Sequence, residues 1–232
     1  SKHLPDLTQW AQSQFAAAKK RTVGVYAGAA GFGFNTELLA RRKVAAPASW
    51  VDLLKADFKN EIQVANPNSS GTAYVIIATL VQIMGEEQAF DYMKKLHINI
   101  NSYARSGTGP IKAVARGETA VSLSFVHDAV VEKNAGFPVA YATPSEGTGY
   151  EIGSMSIIRG ARNLAQARAF YDWALTPEAQ KLGFALGYHI EFGGGRRMPG
   201  NGTFNGLESL TKGSYGAKFK EDVRRYYGSF MW

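Results

Sequence analysis

The triplet Ser-Gly-Thr occurs at Ser70-Gly71-Thr72 and again at Ser106-Gly107-Thr108. Each copy stands before a stretch with helical patterning. Such a turn presents a small hydroxyl, a permissive glycine and backbone N–H groups that the first turn of a helix leaves unsatisfied. Those are the parts of an anion site, suited to phosphate or carboxylate. Helix capping alone is the competing reading of either copy. Their repetition after two successive strands favours joint use on one anion.

Two further polar sets belong to the same inventory. His127-Asp128 follows the alternating stretch TAVSLSFV. It reads as a strand end with Asp128 capping the next helix, as a grip on vicinal hydroxyls, or as a catalytic or metal-ligating pair. Glu146 and Glu151 flank the turn EGTGYE, and Glu151 is the better site candidate because it opens a strand. No H-x-x-x-H or H-E-x-x-H spacing occurs and no nucleophile is tied by motif to His127. No cofactor, metal or catalytic residue is therefore expected.

The elements that must position these residues are legible in outline. Residues 7–20 pattern as a helix, 22–27 as a strand followed by a glycine-rich bend, and a helix begins near Asn35. Gly28, Gly31 and Gly33 have the wrong order for a dinucleotide fingerprint. Residues 61–65 form a strand, Asn66-Pro67-Asn68 breaks it, and Ser70 opens an apolar helix that ends near Gly85. A helix over 86–96 and a strand over 98–103 follow, and then Pro110 stands at the start of a brief helix. Strands are expected over 121–126, 139–142 and 154–158. The remainder is expected to be helical, with a last helix centred on 219–227. Strand, polar loop and helix in succession indicate an α/β fold, in which ligands sit at the C-terminal ends of the strands.

Composition narrows the function classes. The chain has 232 residues, 45% of them hydrophobic and 19% charged, the values of a globular protein. There is no cysteine, so disulfides, thiolate nucleophiles and cysteine zinc sites are all excluded. No run approaches the roughly 18 apolar residues of a membrane span. The net charge of +7 favours anionic partners, yet the basic residues are scattered, and a nucleic-acid partner is not expected.

The ordered series PASWVDLL, ANPNSSGTAY, GEEQAFDYMKKL, ARSGTGPIKAVARGE, PSEGTGYEIGSMSIIRGARN and ARAFYDWALTPEAQKL resembles the extracytoplasmic solute-binding proteins of ABC importers. The likeness is to the branch that contains ferric-ion binders and hexose-phosphate binders. It implies an α/β, two-lobe, type II periplasmic-binding-protein fold that closes on its ligand. It also implies an importer permease as partner, and the periplasm as location. Ferric binders carry adjacent tyrosines where this chain has His127-Asp128, and Tyr226-Tyr227 lies elsewhere. The likeness is thus to the sugar-phosphate type. Carried over, Ser70, Gly71, Thr72, Ser106, Gly107 and Thr108 would hold phosphate, and His127, Asp128 and Glu151 would hold sugar hydroxyls. Another anion, such as a phosphonate or a ferric–anion complex, is the alternative, with an enzyme acting on sugar phosphates behind it.

Family members begin with a longer segment, so the first lobe is expected to be incomplete, at residues 1–46 with 149–200. The second lobe is expected at 47–148 with 201–232. Complementation of the first lobe by another chain follows as an expectation.

Overall fold

The computed structural model describes residues 9–185 together with Leu4. Their packing forms two compact units, 9–28 with 152–185 and Ala29–Glu151. The division differs from one at residues 46 and 148. Phe32, Phe34 and Leu39 are buried in the core of the larger unit and draw residues 29–46 into it.

The larger unit is built on a sheet whose strands lie in the order β3-β2-β4-β1-β5. These are β1 (Val23–Asn35), β2 (Ile62–Ala65), β3 (Ile100–Ala104), β4 (Val121–Phe125) and β5 (Val139–Ala142). A sixth strand, β6 (Tyr150–Met155), pairs with β1. β2 runs parallel to both β3 and β4, whereas β1 runs antiparallel to β4 and β5. Every residue of β4 is buried, as expected of a central strand covered on both faces.

The glycines of β1 do not make the expected bend after residue 27. The strand continues through them to Asn35, because glycine is what its neighbours leave room for. A Cβ at Gly31 would lie 2.7 Å from the Ala142 carbonyl oxygen, and one at Gly33 would lie 2.9 Å from Ser122 Oγ. Asn35 then caps α2 (Thr36–Arg42), accepting from the Leu38 N–H at 2.9 Å.

The helices follow their local signals. Ser70 is the N-cap of α3 (Gly71–Met84) and accepts from the Ala73 N–H at 3.4 Å. Residues Ala73 to Val81 of α3, Tyr74 apart, are buried, the condition of a helix that is apolar on nearly every face. Gly85, at φ 84°, ends α3 and starts α4 (Glu86–His97). The short α5 (Gly109–Ala115) has Pro110 in its first turn, and α6 (Val126–Asn134) follows β4 without a loop.

Trp50 organises one side of the core. It is fully buried and meets Phe32 edge to face, with ring centroids 5.1 Å apart. A capping box precedes the 3-10 turn Val51–Leu54: Ser49 Oγ accepts from the Asp52 N–H at 3.1 Å, and the Asp52 carboxylate accepts from the Ser49 N–H at 3.0 Å. Lys55 and the Ala48 N–H, which donates to the same carboxylate at 2.9 Å, hold Asp52 well below the usual carboxylate range, at about 2. The buried Tyr92 hydroxyl donates to the Trp50 carbonyl at 2.5 Å. Tyr92→Phe leaves that carbonyl without its donor and is expected to cost about 1–2 kcal/mol, read as a shift in the urea midpoint at constant m.

The smaller unit holds α1 (Gln9–Ala17), the outer parts of β1 and β6, α7 (Leu164–Ala174) and α8 (Pro177–Ala185). Thr22 Oγ1 donates to the Met155 carbonyl at 3.0 Å and ties the two strand ends. β6 starts at Tyr150, four residues before the strand expected at 154. Ile158, Phe170 and Trp173 are exposed, and α7 has no buried residue. The helix expected at 219–227 and the pair Tyr226-Tyr227 lie outside the described residues.

Candidate functional site

Because β3, β2 and β4 are adjacent and parallel, the segments leaving Ala104, Ala65 and Phe125 emerge at one sheet edge. The first two of these segments are locked to each other. The Asn66 N–H donates to the Ala104 carbonyl at 2.8 Å, and Ser69 Oγ donates to the Arg105 carbonyl at 2.8 Å. Asn66 shapes its own loop by accepting from the Asn68 N–H at 2.9 Å, an Asx turn.

The two Ser-Gly-Thr copies touch. A Cβ added at Gly107 would lie 2.9 Å from the Thr72 Cβ and 3.3 Å from Ser70 Oγ. Only a residue without a side chain fits there. At Gly71 the situation is the reverse, since a Cβ would meet nothing within 4 Å. The two glycines thus have different duties. Gly107 lets the loops close together, and Gly71 keeps the space in front of the α3 N-terminus open.

That space is a cavity of about 830 Å³ within the larger unit. It is lined by Ser70, Gly71 and Thr72 of the first copy and by Ser106 and Gly107 of the second. Glu151 and Arg105 also line it, and they are its charged side chains. The N–H groups of Gly71 and Thr72, in the first turn of α3, have no acceptor within the helix and face this end of it. With the hydroxyls that line the cavity they are donors of the kind that suits a tetrahedral anion, and Arg105 adds a positive charge to the lining. Burial pushes the Glu151 carboxyl above its ordinary value.

The two copies are not equivalent as caps. Ser70 caps α3, whereas α5 begins at Gly109 with Thr108 at its N-cap and no side-chain hydrogen bond there. Ser106 holds its own turn instead, its carbonyl accepting from the Gly109 N–H at 3.2 Å. Thr108 is absent from the cavity lining.

His127 and Asp128 stand apart from that lining as well. They lie inside the first turn of α6, at 6% and 9% exposure, with Phe125 rather than Asp128 as the N-cap. The imidazole stacks on Phe125, ring centroids 5.2 Å apart, and its Nε2 is 3.7 Å from Asp128 Oδ1. Burial lowers the affinity of the imidazole for a proton, so this contact is not an ion pair near neutrality. Burial, with Glu132 adding to it and Lys112 opposing, raises Asp128 to about 6. Among the described residues no group of three or more His, Asp or Glu side chains could hold a metal ion.

Residues 1–184 match the family model for bacterial extracellular solute-binding proteins. The chain belongs to that family. The solved periplasmic binding protein AfuA of Actinobacillus pleuropneumoniae, with exogenous fructose-6-phosphate bound, is 47% identical. It superposes with a TM-score of 0.69 over 73% of this chain and 53% of AfuA. An uncharacterised protein of Haemophilus influenzae is 42% identical over 192 residues, 82% of this chain and 56% of its own length. A putative 2-aminoethylphosphonate-binding periplasmic protein of Salmonella typhimurium is 27% identical over 164 residues, 64% of this chain and 45% of its own. The chain thus spans about half the length of these relatives, and the α/β periplasmic-binding-protein fold that its motifs imply is the fold it shares with them.

Arg105 and Ser69 were not among the site residues expected of this solute-binding protein. Their one local signal is adjacency to a Ser-Gly-Thr triplet, and it takes the parallel pairing of β2 with β3 to bring both to the cavity.

Proposed function

We propose that this protein is the solute-binding component of an ABC importer and captures a phosphorylated small molecule, a sugar phosphate, in the periplasm. The observation that carries the reading is the pair of Ser-Gly-Thr loops in mutual contact around one cavity at the carboxyl ends of parallel strands. Ser70, Gly71, Thr72, Ser106 and Gly107 meet the phosphate there, and Thr108, at the N-cap of α5, is the outermost of the candidate phosphate residues. Glu151 accepts from sugar hydroxyls, and His127 and Asp128 do so from the neighbouring first turn of α6. AfuA, solved with fructose-6-phosphate, supports a sugar phosphate as ligand class. Capture is by lobe closure and delivery is to a membrane permease, without turnover of the ligand. The exposed Ile158, Phe170 and Trp173 of the smaller unit support its completion by a further polypeptide segment.

Thermal shift and calorimetry with fructose 6-phosphate, fructose and inorganic phosphate test the proposal. Fructose 6-phosphate should raise the melting temperature by several degrees at saturation and fructose should do little, since only a ligand that binds the native state shifts the equilibrium. Equal shifts from both would remove phosphate from the reading. Phosphorus NMR of the bound ligand should show no new species over hours.

A second reading, a phosphonate carrying an ammonium group, is favoured by one observation. The Glu151 carboxyl lies in the same cavity as the anion loops and would pair with that ammonium. Displacement of fructose 6-phosphate by 2-aminoethylphosphonate, but not by inorganic phosphate at the same concentration, would select it.

A further inference from the structure

Glu151 reaches the cavity from a segment whose path is held at unusually many points. The Glu146 carboxylate accepts from the Trp50 N–H through both oxygens, at 3.0 and 3.2 Å. The Trp50 indole N–H in turn donates to the Gly147 carbonyl at 3.0 Å. The Ser145 N–H donates to the Ala48 carbonyl at 2.8 Å, and the Gly147 N–H closes the turn on the Pro144 carbonyl at 3.1 Å. Thr148 and Gly149 then run buried beside the middle of β1. Thr148 Oγ1 donates to the Ala30 carbonyl at 2.7 Å, and the Ala30 N–H donates to the Gly149 carbonyl at 2.9 Å. Gly149 packs so closely on α3 that a Cβ there would lie 3.1 Å from the Thr79 Cβ. Two residues later the chain delivers Glu151 to the cavity.

This strap is anchored at one end by a charge. Glu146 is exposed, yet it accepts from a backbone donor of a fully buried tryptophan, and that donor has no other acceptor in the 3-10 turn it begins. Trp50 itself is fixed by Phe32 and by Tyr92, so the anchor point is rigid. The side chain that sets the path is thus remote from the cavity, which Glu146 does not line.

We propose that Glu146 is a positioning residue of the site, stapling the turn Pro144 to Gly147 onto Trp50 and thereby setting where the Glu151 carboxyl stands in the cavity. The assignment of a ligand role to Glu151 rests on the sugar-phosphate reading, whereas the positioning itself does not. The raised proton affinity of Glu151, caused by burial, reports that placement without any ligand.

The test is a carboxyl carbon-13 titration of Glu151 in the full chain, followed by calorimetry with fructose 6-phosphate. In Glu146→Ala the Glu151 midpoint should fall towards the ordinary glutamate value, because a loosened strap lets water reach the carboxyl. Glu146→Gln, which keeps an acceptor for the Trp50 N–H, should retain the wild-type midpoint. Glu146→Asp keeps the charge, shortens the reach and should behave like the alanine variant, and it serves if the alanine variant does not fold. Affinity should fall about tenfold in Glu146→Ala, and the same change should have no further effect in a Glu151→Ala background. An unchanged Glu151 midpoint, or an equal affinity loss in both backgrounds, would overturn the proposal. If the wild type does not bind fructose 6-phosphate, the sugar-phosphate reading fails, and the titration still decides the positioning role.

Discussion

Gly107→Ala should weaken capture of the phosphorylated ligand about 100-fold while Gly71→Ala leaves the fold intact. At position 107 the added Cβ would lie 2.9 Å from the Thr72 Cβ and 3.3 Å from Ser70 Oγ. Neither neighbour can retreat easily. Ser70 is buried and caps α3, and Thr72 stands in the first turn of a helix whose body is core. The loops must separate, and the donors of the first copy no longer converge with those of the second. Loss of two charge-assisted hydrogen bonds, at about 1.5 kcal/mol each, corresponds to roughly 100-fold in affinity. At position 71 the same methyl meets no protein atom within 4 Å, and alanine favours the helix over glycine. The melting temperature of Gly71→Ala should therefore hold or rise, while affinity falls because the methyl stands in the space in front of the α3 N–H groups. Calorimetry with fructose 6-phosphate and a thermal melt of each variant decide the matter. Wild-type affinity in Gly71→Ala would show that the anion does not approach that N-terminus.

Asp128→Asn should stabilise the protein at neutral pH and weaken its hold on sugar. The folded-state proton affinity of Asp128 corresponds to about 6, against 3.8 for an ordinary aspartate. Burial is the main cause, with the neighbouring Glu132 next. The sign follows directly. Between about pH 4 and pH 6 the folded chain holds a proton that the unfolded chain has released, so stability falls as pH rises through that window. Above pH 6 the cost is complete, on the order of 2–3 kcal/mol for a shift of this size. An amide at this position removes the ionisation, so the melting temperature should rise by several degrees at pH 7.5 and change little at pH 4. Under the proposed function this carboxylate grips sugar hydroxyls, in keeping with the tendency of perturbed groups to gather at binding sites. Affinity for fructose 6-phosphate should fall about tenfold in the variant, while binding of inorganic phosphate is unaffected. Equal losses for both ligands would remove Asp128 from sugar recognition.

Much of this protein is determined by short-range signals in its sequence. Ser70 before an apolar run, Gly85 after it, and Pro110 at a helix start each act through backbone geometry over a few residues, and each stands where its type predicts. The triplets at 70 and 106 are likewise legible as strand-to-helix junctions, because glycine beside two small hydroxyl residues suits the turn that opens a helix.

Tertiary structure decided the rest, through contacts between residues distant in the chain. Gly31 and Gly33 read locally as a bend, but they lie within one continuous strand, where the approach of Ala142, Val126 and Ser122 leaves no room for a side chain. His127-Asp128 reads locally as a strand end, yet β4 passes directly into α6 and buries both side chains in its first turn. That Gly107 must be glycine follows from Thr72, 35 positions away, and becomes visible only when β2 and β3 pair in parallel. Glu151 owes its place to Trp50, Ala30 and Thr79 through a strap whose local pattern, a polar glycine turn, predicts only a loop. Local propensity acts through dihedral preferences and nearby hydrogen bonds. A cavity, by contrast, is defined by what packs against what, and that is not written in any one segment.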